Sequence, residues 1–209
     1  VGVHGNADIG EDPTEGFVKL HPFGSATVEM CIGETGGAQR HAIQKMVAEV
    51  MKVPFDGVQL VNSDTHGTGY DAGMIGSRGT ITMGTCAVRA ANDARKKLLK
   101  MAAEKLHMGV DGLDTEDFLV FPKADPQMRL PWIAITGTPE MTITGMGLYQ
   151  QNFDKPNFAL YFAEVEVNLE TGEAKLLRAL EGTDVGQIID PVNVRMQAEG
   201  SFGAAGADT

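Results

Sequence analysis

Three polar segments rich in glycine contain the residues best suited to bind an extended anionic ligand. They are the first segment (residues 33–39), the second segment (residues 76–80) and the third segment (residues 197–206). The first two each precede a stretch with apolar residues at helical spacing. The N-terminus of a helix offers unpaired N–H groups and the positive end of the helix dipole, where phosphate binds. The chemistry predicted for these segments is therefore the binding of a phosphate or of an extended polar cofactor.

Taken one at a time, such segments are also typical of plain turns that precede helices. None of the three matches the Gly-x-x-x-x-Gly-Lys-[Ser/Thr] sequence of a Walker loop or the Gly-x-Gly-x-x-Gly sequence of a dinucleotide site. Their meaning for ligand binding therefore depends on their order along the chain and on the elements that lie between them.

Histidine and cysteine do not form a recognisable metal site. The five histidines include no pair four residues apart with a carboxylate at ligand spacing. Cys31 and Cys86 are too few for an iron–sulfur cluster or a disulfide framework, and a reducing cytoplasm fits this low count. Both positions are typical of small buried hydrophobic residues, with a reactive thiol at Cys86 as the less favoured alternative. We expect no metal ligated by protein side chains.

The composition is that of a globular protein whose partners are small molecules or other proteins. Of 209 residues, 43% are hydrophobic and 22% are charged, which is enough to bury an ordinary core. The formal net charge of -11 opposes binding to nucleic acid or to an anionic membrane surface. No window approaches the roughly 20 apolar residues of a membrane-spanning helix. Because the chain lacks an initial Met and stops in a run of Gly and Ala, we expect a fragment of a longer protein.

A hairpin, two helices and a strand must position the first two segments. Residues 17–20 and 26–32 are β-prone runs on either side of a turn with Pro and Gly, which predicts a hairpin. Residues 38–52 have apolar positions at helical spacing, and residues 58–61 predict a third strand. A polar loop at residues 63–79 leads into a helix of about 25 residues. The apolar stripe of that helix comprises Met83, Ala87, Ala90, Ala91, Ala94, Leu98 and Met101.

A change of pattern follows this helix. Residues 109–131 carry acidic residues and prolines without clear periodicity, so we expect an irregular connection there. This connection would join two sub-layers, residues 1–108 and residues 109–209, within one domain.

The last third of the chain predicts a second hairpin and a further helix. Residues 158–168 alternate between apolar and polar side chains, and a Thr-Gly turn leads into residues 174–180. Pro191 is placed to begin a helix. The sum is an α+β fold with mixed or antiparallel sheets and two amphipathic helices.

The order of these pieces resembles the second molybdopterin-binding domain of the molybdenum hydroxylases, the xanthine dehydrogenase and aldehyde oxidoreductase family. The order of elements in the first half of the chain is the same as in that family. It runs from the first segment and its helix to a strand ending in Asp64-Thr65, and then to the second segment with residues 84–91. The pieces that match the second half of the family domain are residues 162–167, 170–173, 184–191 and 197–200. The resemblance covers nearly the whole chain and implies the α+β fold of that domain.

The resemblance also implies a cofactor and the residues that hold it. The cofactor would be molybdopterin with molybdenum, in the cytosine dinucleotide form, gripped by loops without protein ligands to the metal. The family's binding positions fall on Gly36, Gly37 and Ala38, on Gly76, Ser77, Arg78, Gly79 and Thr80, and on Gln197. Backbone N–H groups and hydroxyls suit phosphate oxygens, and we expect Arg78 to add positive charge. Gly37 stands where the family has glutamine, so we expect Gln39 to point toward the cofactor instead.

The activity implied is the hydroxylation of an aldehyde or an N-heteroaromatic carbon with oxygen from water. No residue matches the family's catalytic base glutamate, which we expect beyond Thr209, so no catalytic residue is assigned and the isolated chain is expected to be inactive. Iron–sulfur clusters, FAD and the other half of the molybdopterin-binding subunit are expected on partner domains or subunits. Two alternatives stay open: a non-catalytic paralogue or scaffold subunit with the same fold, and a generic nucleotide-binding module.

Overall fold

The chain forms two units in the computed structural model, which describes residues 2–6, 13–62, 66–151 and 155–206. The larger unit is Ile9–Gln151, and the smaller unit joins Val1–Asp8 to Asn152–Thr209. This division differs from the boundary expected near residue 108, because residues between 113 and 143, among them Leu113, Val120 and Ile143, pack into the core of the larger unit.

Ten strands and four α-helices are present among the described residues. The strands are β1 (Gly2–Asn6), β2 (Pro13–His21), β3 (Ser25–Met30), β4 (Val58–Asn62), β5 (Leu113–Glu116), β6 (Leu119–Pro122), β7 (Leu130–Pro131), β8 (Ile143–Gln150), β9 (Lys155–Val167) and β10 (Ala174–Asp184). The helices are α1 (Gln39–Met51), α2 (Gly84–Leu106), α3 (Trp132–Thr136) and α4 (Pro191–Gly206). The predicted α+β class is confirmed.

A four-stranded mixed sheet is the centre of the larger unit, with the strand order β4-β3-β2-β8. β2 and β3 form the predicted antiparallel hairpin, and β8 is antiparallel to β2 on its other side. β4 is parallel to β3 because α1 carries the chain back along the sheet between them. The first segment therefore follows the end of β3, at the start of this crossover.

The two amphipathic helices predicted from periodicity are confirmed. Ile43 and Val47 of α1 are fully buried, and Lys52 ends that helix in the left-handed conformation. Six of the seven predicted stripe residues in and before α2 are fully buried: Met83, Ala87, Ala90, Ala91, Ala94 and Leu98. This alanine-rich face brings the α2 backbone close to the sheet.

Two glycines of β8 permit the close approach of α2. A Cβ at Gly147 would lie only 3.0 Å from the carbonyl carbon of Cys86, and nearer still to its oxygen. A Cβ at Gly145 would lie 2.7 Å from that of Ala94. Because carbon atoms pack at about 3.5–4.0 Å, the packed distance between helix and strand depends on the absence of side chains at these two positions.

A small antiparallel sheet, β5-β6-β7, occupies residues 113–131, so the prediction of an irregular connection there was wrong. Leu113 and Val120 of this sheet, and Trp132 directly after it, belong to the same hydrophobic core as α1 and α2. Phe118, at the turn between β5 and β6, packs edge-on against Trp132 with ring centroids 5.3 Å apart. The strands are stabilised by the packing of these large side chains, and their local sequence pattern is too weak to predict them.

The smaller unit contains the sheet β1-β9-β10 and helix α4. β9 and β10 form the second predicted hairpin, with an irregularity in register between Leu176 and Arg178. The helix predicted after Pro191 is also present, and the Asp190 carboxylate accepts the N–H groups of Val192 and Asn193 at 3.1 and 3.3 Å. None of the described helices is both long and apolar enough to cross a membrane.

Candidate functional site

The first segment folds into a turn that surrounds a carboxylate. Oε1 of Glu34 accepts the N–H groups of Gly36 and Ala38, each at 3.0 Å. Ala38 adopts the left-handed conformation with φ 55° and precedes Gln39, the first residue of α1. Two backbone amides of this segment therefore converge on one negatively charged oxygen, which is the geometry that an anionic ligand needs. A ligand can use the same amides only when the exposed Glu34 side chain turns away.

The second segment presents an exposed turn followed by a buried one. Gly76 and Ser77 are exposed and have positive φ angles of 57° and 55°. Gly79 is buried and begins a π-helical turn, Gly79–Met83, that leads directly into α2. Thr80, within that turn, is exposed. The segment thus offers backbone groups and hydroxyls to solvent at the start of a long helix.

Unlike the exposed residues of the second segment, the Arg78 side chain does not face solvent. This corrects the expectation that its guanidinium adds positive charge toward a phosphate. Only 2% of the side chain is exposed, and Nη1 lies 2.9 Å from Oδ1 of Asp71. Nη2 donates to Oγ1 of Thr14 at 2.6 Å. The physical reason is that a buried guanidinium needs a carboxylate partner and filled hydrogen bonds. A role for the Arg78 backbone in cofactor binding stays a prediction.

The first and second segments meet at the side chain of Gln39. A Cβ added at Gly79 would lie 2.9 Å from Cγ of Gln39, and one added at Gly37 would overlap its amide. Met74 closes the same space, since its Cε would lie 2.6 Å from a Cβ at Gly79. The two glycines therefore form the walls of a cradle that holds the Gln39 side chain.

One polar atom in this cradle is left without a partner. Oε1 of Gln39 is buried and accepts no hydrogen bond from the described residues. Buried polar atoms in proteins almost always have a hydrogen-bond partner, and an unfilled one points to a missing donor such as a ligand. The acceptor lies at the junction of the two segments that the sequence assigned to a cofactor, so the residues present fit a ligand with an N–H or O–H group.

Cys86 lies beneath this region and is held as a neutral thiol. The pKa of Cys86 is raised from 9.0 to about 12, mainly by burial and then by the negative charges of Asp71 and Glu15, with Arg89 acting in the opposite direction. Its Sγ donates to the carbonyl oxygen of Gly147 at 3.3 Å. A thiol with so high a pKa is a poor nucleophile, which favours the structural interpretation of Cys86 over the reactive one.

The third segment forms the body of α4 and is not a loop at a helix N-terminus. Gln197 is exposed on this helix, within the smaller unit, whereas the first two segments belong to the larger unit. The structure therefore brings Gln39 and Gly79 together, while the assignment of Gln197 to a cofactor stays a prediction. No group of three His, Cys, Asp or Glu residues in the described ranges could hold a metal ion.

Sequence reasoning missed the residues that support the second segment from below. Thr14 and Asp71 are buried partners of Arg78, yet Thr14 is 64 positions away in the chain. The available signal was a charged pair, Asp71 and Arg78, inside a glycine-rich loop next to a helix N-terminus. That signal does not identify the third partner, because strand pairing decides which residue of β2 lies beneath the loop.

Comparison with known proteins places this chain in a family. The family model described as "Molybdopterin cofactor-binding domain" matches residues 1–206. The chain is 27% identical over 194 residues to the carbon monoxide dehydrogenase large chain of Hydrogenophaga pseudoflava, covering 88% of this chain and 24% of the relative. It is 26% identical over 208 residues to the nicotine 6-hydroxylase large subunit of Paenarthrobacter nicotinovorans, covering 94% and 25%. The chain spans about a quarter of the length of these curated relatives.

Solved structures show the same fold. The Cu,Mo-CO dehydrogenase in its carbon monoxide reduced state matches with a TM-score of 0.79 and 22% identity, over 90% of this chain and 24% of that chain. Quinoline 2-oxidoreductase from Pseudomonas putida 86 matches with a TM-score of 0.78 and 23% identity, over 89% and 25%. At these identities the likeness establishes the fold, including the mixed sheet and the two helices that carry the candidate site.

Proposed function

Because this chain belongs to the molybdopterin cofactor-binding domain family, as its resemblance to the molybdenum hydroxylases predicted, we propose that it binds molybdopterin between its first and second segments. The observation that carries the proposal is the unpaired, buried Oε1 of Gln39 where the two segments meet. Gly37 allows the Gln39 amide to fold back over the first segment, so the residue that departs from the family pattern makes room for its replacement.

Each part of the candidate site has a role that follows from its chemistry. The Gln39 amide would accept a hydrogen bond from the cofactor, and the N–H groups of Gly36 and Ala38 would bind an oxygen of the cofactor in place of Glu34. The exposed backbone at Gly76 and Ser77 and the Thr80 hydroxyl would hold phosphate oxygens at the start of α2. The resemblance also assigns Gln197, in the smaller unit, to cofactor binding, and this assignment is a separate proposal. When bound, the cofactor supplies the molybdenum redox chemistry.

At the level of the complete protein, we propose a cytoplasmic oxidoreductase that hydroxylates an aldehyde or an N-heteroaromatic carbon with water. Carbon monoxide and nicotine, which the names of the relatives indicate, are the other substrate classes to include in an assay. The cytosine dinucleotide form of the cofactor, an iron–sulfur subunit and an FAD subunit belong to the same proposal. No catalytic base is assigned to the residues of this chain.

Exposed apolar side chains in the smaller unit support the proposal of a further half-site packed against it. Phe162 of β9 is 58% exposed and Leu180 of β10 is 65% exposed, and they face each other in the strand register. Apolar clusters of this kind on a sheet usually mark an interface. The other half of the molybdopterin-binding subunit is the partner that this proposal assigns to them.

The test compares the full-length protein with its Gln39→Met variant. Methionine keeps the unbranched shape and removes the amide, so the variant loses a cofactor hydrogen bond without leaving a buried polar atom. We expect unchanged or higher thermal stability of the cofactor-free protein and a roughly twofold to tenfold loss of bound molybdenum after dialysis, the effect of one hydrogen bond. Gln59→Met, at an exposed position of β4, is the matched control and should retain wild-type molybdenum. Equal molybdenum content in all three proteins would contradict the proposal.

A non-catalytic scaffold with the same fold is the second candidate, and one observation favours it. The Glu34 carboxylate occupies the amides that a cofactor would use, and Gly37 removes the family's glutamine from its usual place. Under this reading the protein purified from its native source contains neither molybdenum nor pterin. A pterin-free bound nucleotide would instead favour the generic nucleotide-binding module.

A further inference from the structure

A set of buried hydrogen bonds, here called the Thr14 clamp, lies under the second segment. It consists of Thr14 on β2, Asp71 and Gly73 in the polar loop, and Arg78 at the end of that loop. Thr14 and the Asp71 side chain are 0% exposed, and Arg78 is 2% exposed. A charged pair this deeply buried is costly unless its hydrogen bonds are filled, and the clamp fills them.

Every atom of the Asp71 carboxylate is used within the clamp. Oδ2 accepts the Thr14 hydroxyl at 2.6 Å, and Oδ1 accepts Nη1 of Arg78 at 2.9 Å and the Gly73 N–H at 2.6 Å. Arg78 closes the ring, because its Nη2 donates to Oγ1 of Thr14 at 2.6 Å and its Nη1 donates to the Gly73 carbonyl at 3.0 Å. The two ends of the loop are thereby tied to each other and to the central sheet.

The residues between these two ends are the exposed part of the second segment. Ser77 has φ 55°, an unfavourable angle for a residue with a Cβ. Ile75 donates to the Gly73 carbonyl at 3.2 Å, and Arg78 donates to that of Ile75 at 3.2 Å. The clamp therefore fixes the backbone at both ends of this turn, at Gly73 and at Arg78.

We propose that Thr14 and Asp71 are positioning residues that act through Arg78 to hold residues 75–80 in the conformation that binds the cofactor. The proposal rests on the proposed function, since it concerns the same site. Preorganisation of a binding loop lowers the ordering cost that the ligand would otherwise meet. It explains why the single arginine of the second segment is turned inward: its charge orders the loop while the backbone faces the ligand.

The experiment uses the full-length protein and three variants. Thr14→Val keeps the shape of the side chain and removes the hydroxyl, Thr14→Ser restores the hydroxyl, and Asp71→Asn removes the charge opposite Arg78. Val120→Ala, in the small sheet and fully buried, is a control that lowers stability away from the site. Three quantities are measured: the melting temperature, the molybdenum content after dialysis, and hydrogen exchange of the backbone amides of residues 75–80.

We expect Thr14→Val to lose molybdenum roughly twofold to tenfold, as for one hydrogen bond, and Asp71→Asn to lose more. Exchange at residues 75–80 should rise in both variants, and Thr14→Ser should recover both quantities. Val120→Ala should lower the melting temperature and leave molybdenum content and exchange at these residues unchanged. If Thr14→Val behaves like Val120→Ala in all three measurements, the clamp is only structural and the proposal is overturned.

Failure of the proposed function gives a different result. Wild-type protein without molybdenum or pterin would overturn the proposed function. Hydrogen exchange at residues 75–80 would still test whether the clamp positions the loop. Faster exchange at residues 75–80 in Thr14→Val, reversed in Thr14→Ser, would support the positioning role in a loop that binds another ligand. Unchanged exchange would overturn it.

Discussion

Replacing Gly147 by alanine tests whether the close approach of α2 to β8 sets the position of the candidate site. A Cβ at this position would lie 3.0 Å from the carbonyl carbon of Cys86. Carbon–carbon contacts begin at about 3.5 Å, so the helix must retreat by at least about 0.5 Å, and further to clear the Cys86 oxygen. Cys86 is the third residue of α2. The displacement therefore falls next to the π-helical turn that carries Gly79 and Thr80.

The expected magnitude combines two opposing effects. Overpacking of a well-packed core typically costs about 1–3 kcal/mol. Alanine recovers about 0.5–1 kcal/mol because it loses less chain entropy than glycine in a strand. Because the atoms that this Cβ would meet belong to the helix backbone and cannot turn aside, the free energy of unfolding should fall by roughly 1–2.5 kcal/mol. At about 2–4 °C per kcal/mol for a domain of this size, the melting temperature should drop by several degrees.

The assay is thermal unfolding of the full-length Gly147→Ala protein, with its molybdenum content after dialysis. Gly182→Ala is the matched control, because Gly182 lies within β10 at an ordinary φ and a Cβ there would meet no atom within 4 Å. That variant should be as stable as the wild type or slightly more stable. If Gly147→Ala also matches the wild type in melting temperature and molybdenum content, α2 does not depend on this close approach and the reasoning is refuted.

Three further predictions concern single residues. Mainly because of burial, the pKa of Cys86 is raised from 9.0 to about 12, so the stabilising contribution of the neutral thiol should be complete below about pH 9 and be lost as the pH rises toward 12. Urea unfolding of the wild type and Cys86→Ala across this pH range measures that contribution. A difference in stability between the two proteins that does not change with pH would count against this prediction. Glu34→Ala should raise the molybdenum retained on dialysis, because it removes the carboxylate that competes for the Gly36 and Ala38 amides; a loss of molybdenum would mean that Glu34 assists binding. Phe118→Ala should lower the free energy of unfolding by about 2–3 kcal/mol, less than for a fully buried Phe because Phe118 is only partly buried against the core. A cost below about 1 kcal/mol in urea unfolding would show that the small sheet is held without it.

Periodicity was sufficient to predict the elements that carry the site. The apolar spacing at Ile43 and Val47, and the alanine stripe of α2, correctly identified both helices because each buries one continuous face. The hairpin β2–β3 and the turn between β9 and β10 were predicted from their turn residues. In these cases the structural signal lies within one short stretch of sequence.

The predictions that failed depended on contacts distant in the chain. The strands β5 and β6 have only four residues each, too few to show alternation, and they are stabilised by the packing of Phe118 and Trp132. The inward turn of Arg78 depends on Thr14, which β-sheet register brings beneath the loop from 64 positions away. The orientation of Gln39 toward a cofactor stays a prediction, although its unpaired acceptor supports it.

An experimental structure of the full-length protein isolated with its cofactor tests the central claim most directly. We predict a pterin N–H within hydrogen-bond distance of Oε1 of Gln39, with phosphate oxygens on the backbone of residues 76–80 and Glu34 turned away from Gly36. A bound molybdopterin that contacts neither segment, with Oε1 of Gln39 still unpaired, would contradict it.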